Sequence, residues 1–366
     1  MCIGPDQSNS TPLDCGVPHG SIVGPSEFIS YTEDIEELIR THSLTCHLYA
    51  DDTQLLSSMR LEEFDSRKPA FENCVSSVQQ WCARRRLQLN ADKSELIWFV
   101  SWSTLEKLSA KDTTVKVGST IIKPAESVRN FGVALDSQLN MQVHISKVAS
   151  SCFYHLRRLR PLRRVVAQNV RQRLVSALVF SRVDCCNSSL AGLPAGALTP
   201  LQRVLNAATR FVADLRPRDH VTSVQRSLHW LPIRQCIQYK LCVLMYGAVH
   251  GYAPDYIRNL ATLTSAKSGR SHLRSADSLT FDIPRMRTRM GDRALSVAGP
   301  RAWNALPADI RCAPSWTLLR SISKHICFLL PTIYNNCFTQ FYSLFYIFYN
   351  ILVCSADHGL VEALLY

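Results

Sequence analysis

The sequence predicts an α+β chain. A partial antiparallel sheet with helices comes first, then a mainly α-helical region, then an apolar tail. Three observations carry that expectation. Short β-prone runs cluster before residue 136, and two of them flank the acidic pair Asp51-Asp52. Apolar residues recur at helical spacing in Phe71, Val75, Val78 and Cys82, and again over much of residues 138 to 249. Finally, Ile326 to Cys354 is dense in Phe, Tyr, Leu and Ile and holds no Lys, Arg, Asp or Glu, unlike anything before it.

Taken in order, residues 1–13 are polar and irregular, residues 14–136 form the mixed unit, residues 137–325 the helical unit, and residues 326–366 the tail. Thr32 to Arg40 reads as a helix with Ile35, Leu38 and Ile39 on one side. Thr45 to Leu56 reads as a β-hairpin whose tight turn carries Asp51 and Asp52, with Leu48 on one arm and Leu55-Leu56 on the other. Phe64 to Arg86 reads as a helix ending in Arg84-Arg85-Arg86. Cations there complement the helix dipole, and contact with a phosphate is the alternative reading. Leu96 to Val100 is a strand candidate, and Val117 to Thr120 is a hairpin signal between β-prone runs.

Residues 138 to 182 read as two helices interrupted at Pro161, with a basic cluster of Arg157, Arg158, Arg160, Arg163, Arg164, Arg171 and Arg173. Pro194 and Pro200 bracket a predicted loop, and a helix resumes over Leu201 to Leu215. Leu228 to Val249 is a further helix opened by Pro232, and residues 262 to 292 are rich in Ser, Thr and Arg and read as loop. The tail has three readings: segment of accidental origin, membrane span, or buried helix. Asn335, Asn336, Gln340 and Asn350 interrupt it.

Bulk composition narrows the function classes. Of 366 residues, 41 are Lys or Arg and 29 are Asp or Glu, a formal charge of +12. That excess suits a polyanionic partner, because cations near phosphates release counterions. The 14 cysteines contain no Cys-x-x-Cys pair, and adjacent Cys185-Cys186 is poor geometry for a tetrahedral zinc site. The N-terminus holds Asp6 and no apolar core segment, so no signal peptide is expected. Reduced thiols and a cytoplasmic or nuclear location follow as expectations. A membrane is not expected as a partner, with the tail as the ambiguous segment.

Two hard carboxylates on one turn, Asp51 and Asp52, suit Mg²⁺, which takes one or two carboxylates together with substrate phosphates. Upstream lies Gly16-Val-Pro-His-Gly-Ser-Ile-Val-Gly-Pro25, and downstream lies Leu87-Gln-Leu-Asn-Ala-Asp-Lys-Ser-Glu-Leu-Ile-Trp-Phe99. This ordered trio resembles the reverse transcriptase of non-LTR (LINE-type) retrotransposons. The resemblance continues through Ser127 to Asp136 and into Leu228 to Ile233, Tyr246 to Tyr256 and Gly299 to Pro307. These last segments look like the region after the polymerase domain in related animal elements. Altogether it covers roughly residues 14 to 325.

The resemblance implies a partial polymerase palm over residues 14–136 and a thumb-like helical region after it. It implies two Mg²⁺ ions in the complete family enzyme, held chiefly by Asp51 and secondarily by Asp52, with an RNA template, a DNA primer and a dNTP as partners. Tyr49 would lie near the primer end, and an ordinary strand aromatic is its plain alternative. Gly20 and Ser21 match the segment beneath the incoming nucleotide, while His19 stands where the family has glutamine. Ser26 and Glu27 replace apolar family residues on a helix face expected to be buried. Lys93 would protonate the pyrophosphate leaving group. Phe131 and Gly132 look like the primer-grip hairpin, whereas Trp230, Trp303 and Pro232 read as packing residues. The family's third carboxylate and its fingers region lie upstream of the glycine-rich motif, and nothing in residues 1 to 15 matches them. The expectation is therefore a C-terminal fragment with an exposed sheet edge that does not polymerise alone. The alternative is a non-catalytic basic module that binds nucleic acid.

Overall fold

The computed structural model describes residues 2–3, 6–7, 21–266, 279–312 and 361–365, the short segments at either end as backbone strands only. At the N-terminus, β1 (Cys2–Ile3) pairs with β2 (Asp6–Gln7). Helices α1 (Gly24–Thr32) and α2 (Ile35–Thr41) replace the single helix expected from Thr32, and the chain breaks between them at Glu33-Asp34. Pro25 starts α1 in its first turn, where a missing N–H costs nothing. Ser26 and Glu27 are exposed, and α1 buries no residue, so the polar substitutions there meet solvent. Ile35 and Ile39 of α2 are buried as their spacing requires.

The central sheet is built on the hairpin of β3 (Thr45–Tyr49) and β4 (Asp52–Met59). Beyond β4 lies β10 (Val361–Leu365), and beyond that β5 (Leu96–Phe99). Strand β10 is antiparallel to both neighbours, with Ala363 opposite Ser57 and Trp98. Strand β4 is thus paired on both sides, on one of them by backbone from the far end of the sequence. Nothing in the sequence marked β10, because its pairing is entirely long-range. The apolar stretch Ile326 to Cys354 lies outside the described residues. Among the described residues, no helix is long and apolar enough to cross a membrane.

Alternation sets the two faces of this sheet. Leu55, Met59, Leu96, Trp98 and Val100 join α2 and α3 (Phe64–Arg84) in one core. Within α3 the residues Phe71, Val75, Val78 and Cys82 are all buried, as predicted. Leu56, Ile97 and Phe99 point the other way, into a larger core shared with the helices that follow. Helix α4 (Trp102–Leu108) follows β5, and two small hairpins come after it. They are β6 (Val115–Val117) with β7 (Thr120–Ile122), and β8 (Ser127–Asn130) with β9 (Val133–Asp136).

The helical region begins with α5 (Gln142–Leu159), a 3₁₀ turn at Arg160–Arg164, α6 (Gln168–Val175), a π turn at Ser176–Phe180 and α7 (Ser181–Asp184). The two helices expected over residues 138 to 182 are present: the first gives way to the 3₁₀ turn that holds Pro161, and the second runs from α6 through the π turn into α7. Helix α8 (Ala195–Val212) runs straight through Pro200, which the sequence reading placed in a loop. The buried row Leu198, Leu201, Val204, Leu205, Ala208 and Val212 continues across the proline. Burying that stripe outweighs one lost backbone hydrogen bond near the helix start.

Next come α9 (Thr222–Ser227), which the sequence reading missed, and α10 (Ile233–Val249), which opens after Pro232 as expected. After the short α11 (Asp255–Arg258), helix α12 (Leu295–Asn304) crosses α10 at Gly299, where an added Cβ would stand 2.6 Å from the Met245 sulfur. Trp230 packs edge-on against Phe180 at 4.4 Å, and Trp303 is fully buried with its indole N–H donating to the Leu279 carbonyl at 2.7 Å. Both tryptophans are packing residues. Arg293 fastens this last segment to the first core. Its guanidinium donates to the carbonyls of Leu139, Ala191 and Ser189 at 2.5, 3.1 and 3.3 Å.

Candidate active site

The β3–β4 register pairs Tyr49 with Asp52, which leaves Ala50 and Asp51 as a two-residue turn. Asp52 is therefore the first residue of β4 rather than a turn residue, and both acids remain adjacent and exposed at the tip. Two-residue hairpin turns need positive φ at one or both central positions to match strand twist. Ala50 supplies it at φ 52°. A residue with a Cβ pays for that conformation with roughly 1 kcal/mol or more of strain.

Asp51 and Asp52 open onto a cleft of about 370 Å³. Lys93, Asn90 and Ser94 line the same cleft, with Leu48, Val78 and Trp81 among its walls. Asn90 caps the 3₁₀ turn Ala91–Lys93, its side-chain oxygen accepting from the Asp92 and Lys93 amides at 3.1 and 3.3 Å. The Ser94 hydroxyl donates to the Asn90 carbonyl at 3.1 Å. The side chain of Lys93 is exposed, on a backbone fixed by that cap. Burial, and then repulsion from Asp51, raise the Asp52 carboxyl above its ordinary value. A cation between the two acids would relieve that repulsion.

A second hairpin supports the first. The β8–β9 register leaves Phe131 and Gly132 as its two-residue turn, with φ 43° and 85°. Positive φ at both positions is the type I′ pattern. No atom lies within 4 Å of a Cβ built on Gly132, so backbone angle alone calls for glycine there. The Phe131 ring meets Tyr49 edge-on at 4.8 Å and His47 at 6.4 Å. Beneath them the buried Gln54 amide donates to the Asn130 side-chain oxygen at 3.1 Å. Sequence reasoning missed Gln54 and Asn130, because only the register puts two polar side chains 76 positions apart face to face.

The structure thus brings Asp51, Asp52 and Lys93 to one cleft, with Tyr49 on the same hairpin as the acids and the Phe131-Gly132 turn of the second hairpin against it. Ser21 begins the described stretch, whereas His19 and Gly20 lie outside the described residues. Arg85 is engaged structurally, donating to Asp34 and to the Tyr31 carbonyl while Tyr31 donates back to the Arg85 carbonyl. That supports the plain reading of the arginine triplet for its central member. In the basic cluster, Arg157, Arg158, Arg160, Arg164 and Arg173 are exposed, while Arg163 pairs with Asp214 and Arg171 bonds the Arg163 carbonyl. Among the described residues no group of three or more His, Cys, Asp or Glu could hold a metal ion. Two adjacent carboxylates are hard oxygen donors of the kind Mg²⁺ takes together with water and phosphate oxygens.

Residues 3–135 match the sequence-family model described as reverse transcriptase (RNA-dependent DNA polymerase). The chain is also similar to the probable RNA-directed DNA polymerase from transposon BS of Drosophila melanogaster. That similarity is 25% identity over 153 residues, 40% of this chain and 16% of that protein. The RNA-directed DNA polymerases from mobile element jockey are similar too. The Drosophila melanogaster protein is 22% identical over 151 residues, and the Drosophila funebris protein 24% over 147 residues, each with 15% of its length covered. The chain therefore spans about one-sixth of the length of the curated relatives it matches. No solved structure matches it.

Proposed function

We propose that this chain carries the palm portion of an RNA-directed DNA polymerase of a non-LTR mobile element. In this reading residues 14–136 are the palm and residues 137–325 a thumb-like region that grips template and primer. The observation that carries the reading is the meeting of Asp51, Asp52 and Lys93 in one cleft at a hairpin tip. Asp51, with Asp52 beside it, would hold Mg²⁺ through its carboxylate. The ion, when bound, supplies positive charge against the triphosphate and lowers the cost of charge developing on it. Lys93 would hold the proton for the departing pyrophosphate at its Nζ. Tyr49, braced by Phe131, would form the wall against the primer end, with the Phe131-Gly132 turn beneath it. His19, Gly20 and Ser21 would contact the base pair being formed. The exposed arginines of α5 and the turn after it would neutralise backbone phosphates. A non-catalytic nucleic-acid-binding module is the less favoured reading, since the family match falls on the polymerase motifs.

Retention of a labelled deoxynucleoside triphosphate by the chain bound to an RNA–DNA hybrid tests this function. The expected result is Mg²⁺-dependent retention that Asp51→Asn reduces at least about tenfold while hybrid binding persists. Retention that ignores both Mg²⁺ and Asp51 would contradict it.

A further inference from the structure

Away from the hairpin cleft, helix α7 ends at two adjacent cysteines whose backbone angles are specific. Cys185 has φ −61° and ψ 117°, and Cys186 has φ 54° and ψ 24°. These are close to the two central positions of a type II turn, whose second position is ordinarily glycine. Neighbouring side chains of an extended chain point to opposite sides. This turn instead brings both to one side, with the two sulfurs 3.8 Å apart. Cys185 is exposed and Cys186 is buried beneath it. The preceding Asp184 is already engaged, accepting from Lys240 Nζ at 2.9 Å and from Asn187 Nδ2 at 2.9 Å.

We propose that Cys185 and Cys186 form a redox-modifiable vicinal dithiol that a hydroperoxide closes reversibly to a disulfide. The Cys185 thiolate attacks one peroxide oxygen. An S–O bond forms, the O–O bond breaks, and the departing oxygen takes up a proton to leave as water or alcohol. The Cys186 sulfur then attacks the sulfenic acid, an S–S bond forms, and the S–O bond breaks. The departing hydroxide takes the Cys186 proton and leaves as water. Two thiols lose two protons and two electrons, and the peroxide gains them.

Thiol chemistry separates this pair from the others. The hydrogen bond from Cys186 brings the Cys185 thiol down to about 7, against the opposing effects of burial and Asp184 and with the help of Lys240. Thiolate is thus abundant at neutral pH. Burial instead pushes Cys46, Cys74 and Cys152 up to about 11 and Cys242 up to about 12. Adjacent Cα atoms stand about 3.8 Å apart across a trans peptide, below the usual disulfide span of roughly 4.4–6.8 Å. The ring is consequently strained, and strained disulfides are the readily reduced ones.

The test treats the full chain with hydrogen peroxide, blocks remaining thiols by alkylation and examines peptides by mass spectrometry. The peptide holding both cysteines is expected to lose two hydrogens and escape alkylation, and dithiothreitol should restore both alkylation sites. Cys186→Ser should stop the reaction at a sulfenic acid on Cys185 that dimedone traps, with thermal melting confirming that the variant folds. Cys185→Ser provides the second arm and should leave Cys186 alkylatable after peroxide. Continued alkylation of both residues at a peroxide dose that oxidises exposed Cys312 would overturn the proposal. So would a bridge from either residue to a different cysteine, or equal dimedone trapping in the wild type and Cys186→Ser.

Discussion

At the scale of single residues, the acidic tip is held in a conformation that costs stability. Ala50 sits at φ 52°, a region open to glycine without a Cβ penalty. Ala50→Gly should therefore raise stability by about 0.5–1 kcal/mol, read from the urea midpoint, despite the greater freedom glycine gives the unfolded chain. A drop in the midpoint would show that the turn is not strained. His144 makes a second residue-scale prediction. Its ring is buried, and its Nδ1 accepts from the Ala134 amide at 3.4 Å. Burial first, and then Lys147, lower it from 6.5 to about 4. The unfolded chain therefore takes up the proton first as pH falls, so the contribution of neutral His144 is complete above 6.5 and is lost toward 4. Stability should fall by about 1 kcal/mol per pH unit in the upper part of that window from this residue, and His144→Gln should flatten the slope. An unchanged slope would place the titrating group elsewhere. His47, lowered to about 4 by burial, adds in the same direction.

At the scale of elements, legibility followed sequence distance. The hairpin around Asp51, helix α3, strand β5 and helix α10 announce themselves because their apolar period and turn residues are local. Pro200 misled because a breaker near a helix start is weaker than the apolar stripe it interrupts. Strand β10 and the Gln54–Asn130 contact were illegible because long-range register decides them. Of the candidate site, the order of motifs in the sequence singles out three residues that line one cleft. Asp51, Asp52 and Lys93 were all named from motif order, and the cleft joins them. The basic end of α5 and the turn after it gives an element-scale prediction. Replacing Arg157, Arg158, Arg160 and Arg164 with alanine should weaken single-stranded RNA binding. It should also reduce the slope of log affinity against log salt by up to about 3. Filter binding across a salt series reads both, and an unchanged slope would mean that phosphates contact another surface.

For the whole molecule, the central sheet joins distant parts of the chain. Residues 361–365 separate β4 from β5, and one core runs from the sheet face through α5, α8 and α10 to α12. Removing residues 361–365 should strip backbone partners from both β4 and β5 and lower stability by at least about 3 kcal/mol. A chemical denaturation midpoint equal to that of the intact chain would show that this strand does not hold the sheet. Along β10, Glu362 is in register with Ser58 and Leu365 with Leu55. In the proposed function, two neighbouring acids at the hairpin tip take a divalent cation. The most direct measurement is Mn²⁺ binding by electron paramagnetic resonance, compared among the intact chain, Asp51→Asn and Asp52→Asn. One saturable ion is expected in the intact chain, with either substitution weakening it at least about tenfold. Undiminished binding in both variants would contradict the account.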